Sequence, residues 1–425
     1  MLKNKRTLFL LALFLLPLAA WLIYQLPPVR ERLEWRIAGW RAQIQYALNP
    51  PEAEVFVPLG TAQPVQTIPV MTVAPTATPT FTPLPPKTAT PQPTATFTPT
   101  ATGIPQTVLL GGIVHEYQKW NNCGPATLAM ALSFWDWQGD QRNTAAYLKP
   151  NQRDKNVMPY EMADYVNSQT DLRAIVRTGG NLALLKQLIA AGFPVVVEKG
   201  FEIHDLGWMG HYQPLNGYND LKAQFIAQDS YILPDLPEDY AKLEAEWRAF
   251  NYLFILIYPP ERETEVAQIL GSLWDETTAN QLAAQTASNE IYSLTGRDQA
   301  FAWFNRGSSL VALQDYGGAA EAYDQFFALY PQIPEKQRPW RMLWYQTGPY
   351  WAYFYSGRYA DVIQLATTTI VNASEPMIEE SFYWRALARE ASGDTAGAIS
   401  DLQRALEINP NFEIAQFHLN RIQGN

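Results

Sequence analysis

The sequence contains very little cysteine and histidine. Its 425 residues include one cysteine, Cys123, and 4 histidines, at positions 115, 204, 211 and 418. A single cysteine excludes a disulfide-stapled scaffold and every cysteine-rich zinc or iron–sulfur site. A metal centre needs three or four converging ligands, and the histidines are not spaced to supply them. We therefore predict no metal and no cofactor, and any thiol or imidazole chemistry has few candidate residues.

Positive charge is also scarce. Lys and Arg total 31 against 41 for Asp and Glu, so the formal net charge is −10. Nucleic-acid binding relies on clustered basic side chains that neutralise phosphates, so this balance argues against a nucleic-acid partner. Glycine-rich phosphate loops and dinucleotide fingerprints do not occur either. Hydrophobic residues make up 47% of the chain, which is ordinary for globular domains.

Residues 1–27 predict a short cytoplasmic tip and a transmembrane signal anchor. The uncharged apolar run from Thr7 to Leu26 is long enough to cross the roughly 30 Å hydrocarbon core as a helix. A cleaved secretory signal is the alternative. Pro17 or Leu18 would then stand where a small residue is needed before the cleavage site, so we favour an uncleaved anchor.

Residues 28–50 predict a juxtamembrane amphipathic helix. Five apolar side chains recur at helical spacing on one face, at Leu33, Ile37, Trp40, Ile44 and Leu48. Because arginines occupy much of the remaining surface, we expect this helix to lie along the membrane surface.

Residues 51–106 predict a disordered linker. Between Thr72 and Thr102 nearly every residue is Thr, Pro or Ala, and such a segment cannot bury enough apolar surface to offset its ordering entropy. At about 3.1 Å per residue it could hold a domain up to roughly 90 Å from the bilayer. A stalk of this kind suits an outer surface, so we expect a single-pass cell-membrane protein whose C-terminal part is extracytoplasmic.

Two folded regions follow the linker. Residues 107–260 predict an α+β domain, because helical patterns over 124–138 and 182–191 precede strand-like runs over 193–198, 211–218, 225–231 and 252–258. Residues 261–425 predict an all-α domain of tetratricopeptide-type repeats. Small and aromatic residues recur at the same offsets from Trp303 to Pro331 and from Phe382 to Pro410. A degenerate middle unit lies between them, displaced by an insertion over 332–341.

Cys123 stands at the predicted start of a helix, within Asn122-Cys123-Gly124-Pro125. A proline suits the first helical turn, and the positive end of the helix dipole favours a thiolate. Gln118 could place an amide donor where an oxyanion develops when the thiolate attacks an acyl carbon. The alternative is that Cys123 is a small buried apolar residue that begins a helix.

His211 is the preferred general base. If the runs 211–218 and 225–231 form a hairpin that turns near Asp220, Asp229 falls opposite His211, give or take one residue. Opposed side chains have Cβ atoms about 5 Å apart, so Asp229 could orient the imidazole.

Other interpretations of the histidines stay open. The His211 and Asp229 side chains could form a surface pair without consequence. His115 and His204 are lesser candidates for the base. His418 lies in the last predicted helix and is most simply a packed or solvated helical residue.

These residues resemble the double-glycine leader-peptidase-like branch of the papain-like cysteine peptidases, over about 107–258. The resemblance is carried by Gln118, by Asn122-Cys123-Gly124-Pro125, by Gly210-His211-Tyr212 with Gly217-Tyr218, and by Asp229. It implies a papain-like α+β fold and a catalytic triad of Cys123, His211 and Asp229, with Gln118 in the oxyanion hole. Ser230 departs from the family, in which proline commonly follows the aspartate. The following residues predict repeats rather than a transporter, so a transporter-coupled role is not implied.

Together these features predict a membrane-anchored extracytoplasmic thiol peptidase. Its repeat domain would present a surface for a protein or peptide partner, unless the repeats act only as a rigid spacer. Two other functions remain open: a non-catalytic scaffold with a vestigial triad that binds peptides or proteins, and a thiol acyltransferase that uses an amine as acceptor.

Overall fold

The computed structural model describes residues 15–16, 18, 21–25, 27–60, 103–203 and 207–424. Most of the predicted membrane anchor, residues 61–102 of the predicted linker, and His204 lie outside these ranges. Within the described ranges, no helix combines the length and apolar character needed to cross a bilayer.

A seven-stranded antiparallel sheet forms the centre of the first domain. The strand order is β2-β7-β3-β4-β5-β6, and β1 pairs with β4. β4 is the longest strand; it pairs with β3 along its first half and with β1 and β5 along its second half. The strands are β1 (Thr107–Leu109), β2 (Arg173–Arg177), β3 (Val195–Ile203), β4 (Gly207–Asn219), β5 (Gln224–Ala227), β6 (Leu236–Asp239) and β7 (Phe254–Tyr258).

Both faces of this sheet are buried. Phe254, Leu256 and Tyr258 of β7 join one hydrophobic cluster, whereas Ile255 and Ile257 join another. Successive side chains of a strand point to opposite faces, so the two clusters are two layers that cover the sheet.

Helices supply both layers, which confirms the predicted α+β domain. Leu185 and Leu188 of α5 contribute to the first cluster, and Leu128 and Leu132 of α2 contribute to the second. The helices up to the end of this domain are α1 (Pro27–Leu48), α2 (Cys123–Ser133), α3 (Gln141–Leu148), α4 (Pro159–Gln169), α5 (Leu182–Ala190) and α6 (Tyr240–Arg248).

Two predicted boundaries were wrong. The helix expected over 124–138 ends at Ser133, and Asp136 has a φ of 61°, which a continuing helix does not allow. The strand expected over 225–231 ends at Ala227. In both places apolar residues continue beyond the backbone hydrogen bonding: Trp135 and Trp137 are half-buried in the turn after α2, and Tyr231 is 46% exposed after β5.

Helical hairpins form the second domain, as predicted. Three consecutive hairpins are α9 with α10, α12 with α13, and α14 with α15, so the degenerate middle unit is also a helical hairpin. These helices are α7 (Glu263–Leu270), α8 (Glu276–Ser293), α9 (Gly296–Ala312), α10 (Tyr316–Leu329), α11 (Met342–Tyr345), α12 (Gly348–Tyr355), α13 (Tyr359–Asn372), α14 (Glu379–Ala391), α15 (Thr395–Ile408) and α16 (Glu413–Gln423).

Gly307 shows why the repeat pattern needs a small residue in its first helix. A Cβ atom at this position would lie 2.7 Å from the ring of Tyr323 on the next helix. Because real Cβ atoms do not approach other atoms so closely, only glycine lets α9 and α10 pack at this distance.

Residues 51–60, which were predicted to begin the linker, are a packed part of the repeat domain. Phe56 is 5% exposed, and its ring centroid lies 4.7 Å from that of Phe327. The backbone N–H of Leu59 donates to Asp361 Oδ1 at 2.7 Å. The expectation of a linker that starts at residue 51 is therefore wrong for these ten residues.

The predicted amphipathic helix is present as α1, and its two sides have different surroundings. The Tyr46 side packs on the repeat domain, where its hydroxyl donates to Ser374 Oγ at 3.1 Å and its ring lies 5.1 Å from Trp340. The predicted apolar face is exposed, from 38% at Leu33 to 74% at Leu48.

Candidate active site

Cys123 is the first residue of α2, and hydrogen bonds to the side chain of Gln141 fix the loop before it. Gln141, which begins α3, accepts hydrogen bonds through Oε1 from Lys119 N at 2.8 Å and from Asn122 Nδ2 at 2.9 Å. Asn121 has a φ of 50°, in the left-handed region that asparagine tolerates, and so turns the chain into the helix. The half-buried thiol therefore lies on a fixed loop at the positive end of α2.

Two threonine hydroxyls fix α2 against its surroundings. Thr127 Oγ1 donates to the carbonyl oxygen of Tyr212 on β4 at 3.0 Å. Thr144 Oγ1 donates to the carbonyl oxygen of Pro125 at 2.8 Å. Because Tyr212 follows His211 along β4, these bonds bring the start of α2 to the imidazole.

His211 lies beside a buried carboxylate. Its Nε2 is 3.0 Å from Asp229 Oδ2, and both side chains are buried, at 3% and 0% exposure. Cys123 is near enough to contribute to the raised pKa of the imidazole. Since Asp229 occupies Nε2, Nδ1 is the ring nitrogen left for another partner.

The positive charge of His211 and the negative charge of Asp229 stabilise each other. Burial opposes the charged imidazolium, but the Asp229 carboxylate, which accepts its hydrogen bond, and the nearby Cys123 raise the pKa of His211 to about 9. Burial likewise opposes the charged carboxylate, but His211 and two backbone hydrogen bonds lower the pKa of Asp229 to about 2. Near neutral pH the site therefore holds an imidazolium beside a carboxylate.

Asp229 reaches His211 from a loop and not from the strand that was predicted. The ladder between β4 and β5 shifts register between Leu215 and Gly217 and ends at Ala227. Oδ1 of Asp229 accepts from the backbone N–H groups of Tyr231 at 2.8 Å and Ile232 at 2.7 Å, which leaves Oδ2 for His211.

Gln118 lies beside this acid loop. Its backbone N–H donates to the carbonyl oxygen of Ser230 at 2.8 Å, and its Oε1 accepts from Ser230 Oγ at 2.9 Å. The structure thus brings Cys123, His211 and Asp229 together and places Gln118 next to the residue that follows Asp229.

The other described histidines have different neighbours. His115 Nε2 lies 2.9 Å from the backbone oxygen of Asp229, so His115 contacts the acid loop. His418 is on α16, where its Nδ1 lies 3.2 Å from Arg421 Nη2. Burial and the nearby Arg421 charge lower the pKa of His418.

A segment of the repeat domain forms one wall of the site. A Cβ atom at Gly210 would lie 2.8 Å from Phe250 and 2.9 Å from Tyr345 on α11. Arg341 Nη1 donates to the carbonyl oxygen of Trp208 at 3.0 Å. The glycine at position 210 is thus required by this close approach, and the wall residues carry no motif that could have identified them from the sequence.

Glu198 is a buried acid near the sulfur that sequence reasoning also missed. It pairs with Tyr212 across β3 and β4 and is 1% exposed. Burial raises the pKa of Glu198 well above its ordinary value. Among the described residues, no group of three or more His, Cys, Asp or Glu side chains is arranged to hold a metal ion.

Comparisons with known proteins agree with both domains. Residues 111–254 match the Peptidase C39 like family, and residues 301–332 and 380–411 match the tetratricopeptide repeat. No curated protein matches the sequence.

Solved structures that resemble parts of this chain have low sequence identity to it. A C39-like peptidase from Bacillus anthracis is 17% identical, with 36% of this chain and 96% of that chain covered and a TM-score of 0.29. The first TPR domain of Spaghetti (RPAP3) bound to an HSP90 peptide is 21% identical, with 29% and 90% covered and a TM-score of 0.25. The MamA RS-1 ArsTM double mutant is 15% identical, with 38% and 80% covered and a TM-score of 0.29. From its sequence matches, this chain carries a Peptidase C39 like domain at residues 111–254, followed by tetratricopeptide repeats.

Proposed function

We propose that this protein is a cysteine peptidase that hydrolyses peptide bonds through Cys123, His211 and Asp229. The observation that carries the proposal is the buried 3.0 Å contact between His211 and Asp229, with the sole thiol of the chain near enough to contribute to the raised pKa of the same imidazole. A surface pair without consequence would not be buried, and a structural cysteine would not need an imidazolium neighbour.

The reaction follows from these positions. In the resting site His211 holds the proton and stabilises the Cys123 thiolate, which attacks the peptide carbonyl carbon. The amide of Gln118 and the backbone N–H of Cys123 stabilise the tetrahedral oxyanion. His211 then protonates the leaving amine as the C–N bond breaks, and a water molecule hydrolyses the thioester.

The repeat domain is proposed to recognise a protein or peptide partner. Arrays of helical repeats present extended surfaces, and here one segment of the array also contacts the wall of the catalytic site. A recognised chain could therefore pass from the repeats to Cys123 without leaving the protein surface.

Membrane attachment is part of the same proposal. The exposed apolar face of α1 follows directly on the apolar run from Thr7 to Leu26. We place the protein in the cell membrane through this run, with α1 on the bilayer surface and both folded domains extracytoplasmic.

The first test is the pH dependence of Cys123 alkylation, followed by incubation with a peptide library. Alkylation that stays fast below neutral pH in wild type and slows in His211→Ala would support the thiolate–imidazolium pair. His418→Ala is the matched control, because that histidine lies on α16, where its Nδ1 is 3.2 Å from Arg421 Nη2. A wild-type rate that rises only as an ordinary thiol titrates, near about pH 8.5, would contradict the proposal.

The library separates the remaining functions. Cleaved peptides that disappear in Cys123→Ala indicate a peptidase, and cross-linked peptides indicate an acyltransferase. Binding without either product would indicate a scaffold with a vestigial triad.

A further inference from the structure

Ser230 is the position at which the sequence departs from the family pattern, and its hydroxyl has a defined partner. The residue is 1% exposed. Its Oγ donates to Gln118 Oε1 at 2.9 Å, while its carbonyl oxygen accepts from Gln118 N at 2.8 Å. One buried residue therefore holds both the backbone and the side chain of Gln118.

The Ser230 hydroxyl determines which end of the Gln118 side-chain amide is available for another hydrogen bond. A side-chain amide has an acceptor oxygen and a donor nitrogen, and a bond to the oxygen fixes the direction of the nitrogen. In the part of the chain that the structure describes, Gln118 Nε2 donates to no protein acceptor. A donor that is oriented but unoccupied is what stabilises a charge that exists only in the transition state.

We propose that Ser230 is a positioning residue for the oxyanion hole. Its hydroxyl holds the Gln118 amide so that Nε2 faces the oxyanion formed during attack by Cys123. This inference rests on the proposed peptidase function. A proline at position 230 has no hydroxyl, so this chain orients its glutamine in a way that the common family residue cannot.

The same loop carries the acid, and the two roles have separate contacts. Asp229 binds His211 through its carboxylate, and His115 contacts the Asp229 backbone oxygen at 2.9 Å. The Ser230 hydroxyl binds only Gln118 among the described side chains. Loss of this hydroxyl should therefore affect the oxyanion and leave the thiolate intact.

Two reactions of Cys123 distinguish these effects on one protein sample. Alkylation by iodoacetamide displaces iodide at a saturated carbon, so no oxyanion forms and the rate reports the thiolate. With p-nitrophenyl acetate the thiolate attacks the ester carbonyl, a thioester forms, and the C–O bond breaks to release p-nitrophenolate. The acylation rate divided by the alkylation rate thus measures stabilisation of the oxyanion, and circular dichroism of each variant shows that the sample is folded.

Ser230→Ala should slow acylation by about 10–100-fold and change alkylation by less than about two-fold, because complete removal of an oxyanion donor costs about 10²–10³. Ser230→Thr keeps a hydroxyl and should restore the ratio of the two rates. In a Gln118→Ala background Ser230→Ala should have no additional effect, because the group that it positions is gone.

Ser133→Ala is the matched control. The Ser133 hydroxyl also holds the segment before α2, since it accepts from Val114 N at 2.9 Å, but it does not contact Gln118. This variant should leave the ratio unchanged.

The possible results separate the two proposals. If wild type acylates and Ser230→Ala keeps the wild-type ratio, or slows both reactions equally, the positioning role is wrong and the peptidase proposal stands. If wild type does not acylate faster than His211→Ala, the proposed peptidase function is wrong, and the positioning role of Ser230 is then wrong as well.

Discussion

At the scale of single residues, the site depends on how burial changes the charge of three side chains. His211 and Asp229 are buried together, and each keeps the other charged. Glu198 is buried without a cationic partner among the causes that shift its pKa, and burial raises that pKa well above its ordinary value. Desolvation is the largest effect on all three groups, so the presence of an opposite charge decides the direction in which each pKa moves.

The His211–Asp229 pair predicts a pH dependence of stability. The folded pKa of His211, about 9, is above the ordinary 6.5, so its contribution is complete below about pH 6.5 and is lost as pH rises through 9. The folded pKa of Asp229, about 2, is below the ordinary 3.8, so its contribution is present above about pH 4 and is lost as pH falls through 2. Urea unfolding between pH 6 and 10 should therefore show a steeper loss of stability on the alkaline side in wild type than in Asp229→Asn; equal slopes would contradict the pair.

Glu198 predicts an asymmetry between two substitutions. The raised pKa of Glu198 favours its protonated form, so Glu198→Gln, which has the same shape, should change the free energy of unfolding at pH 7 little. Glu198→Ala leaves a cavity at a position that is 1% exposed, at a cost of about 1–3 kcal/mol. Urea denaturation measures both variants, and a large loss for the glutamine variant would show that the carboxyl is ionised.

At the scale of elements, the start of α2 depends on the helix that follows it. Gln141 belongs to α3 but makes the hydrogen bonds that shape the loop before Cys123. The position of the nucleophile is therefore fixed by the α2–α3 pair, and α2 alone does not determine it.

Gln141→Ala should loosen the loop before Cys123. We expect a loss of about 1–3 kcal/mol in unfolding free energy, since several buried hydrogen bonds lose their partner, and slower acylation of the thiol. The exposed Gln138→Ala is the matched control, because Gln138 Nε2 donates only to the nearby Asp136 carbonyl. If the two variants have the same stability, Gln141 does not hold the loop before Cys123.

The sequence predicted the elements that local patterns define. The start of α2 follows from Gly-Pro after Cys123, and the strand-like run predicted over 211–218 lies within β4, which begins earlier, at Gly207. The sequence did not predict that β5 ends at Ala227, because backbone N–H groups of the loop that hold Asp229 leave no trace in the hydrophobic pattern. The predicted proximity of Asp229 and His211 agrees with the structure, although a loop and a register shift bring the two side chains together.

At the scale of the whole molecule, noncovalent contacts join the two domains in addition to the peptide chain. The α11 segment packs on β4 next to His211, and the backbone N–H of Lys155 donates to the carbonyl oxygen of Met377 at 3.1 Å. Such contacts link positions more than a hundred residues apart, and no local pattern encodes them. The packing of Phe56 was missed for the same reason, since its neighbours lie in the repeat domain.

Phe56→Ala should destabilise the repeat domain by about 3–5 kcal/mol, because it empties a buried aromatic position between helices. Leu59→Ala is the matched control, since that side chain is 62% exposed while its backbone bond to Asp361 is kept. Thermal unfolding monitored by circular dichroism should show a clear decrease in Tm for the first variant only. Equal melting curves would mean that residues 51–60 do not contribute to the folded domain.

Residues 27–60 pack on the repeat domain, so noncovalent contacts hold the protein on both sides of the connection between Gly60 and Gly103. Both of these residues belong to segments that contact the folded domains, through Leu59 and Pro105, so these contacts, and not the number of residues between them, set the distance between the N-terminal helix and Cys123. A single proteolytic nick within 61–102 would therefore produce two polypeptides that remain noncovalently associated. Shedding of the catalytic domain would also require dissociation of the Phe56 contact.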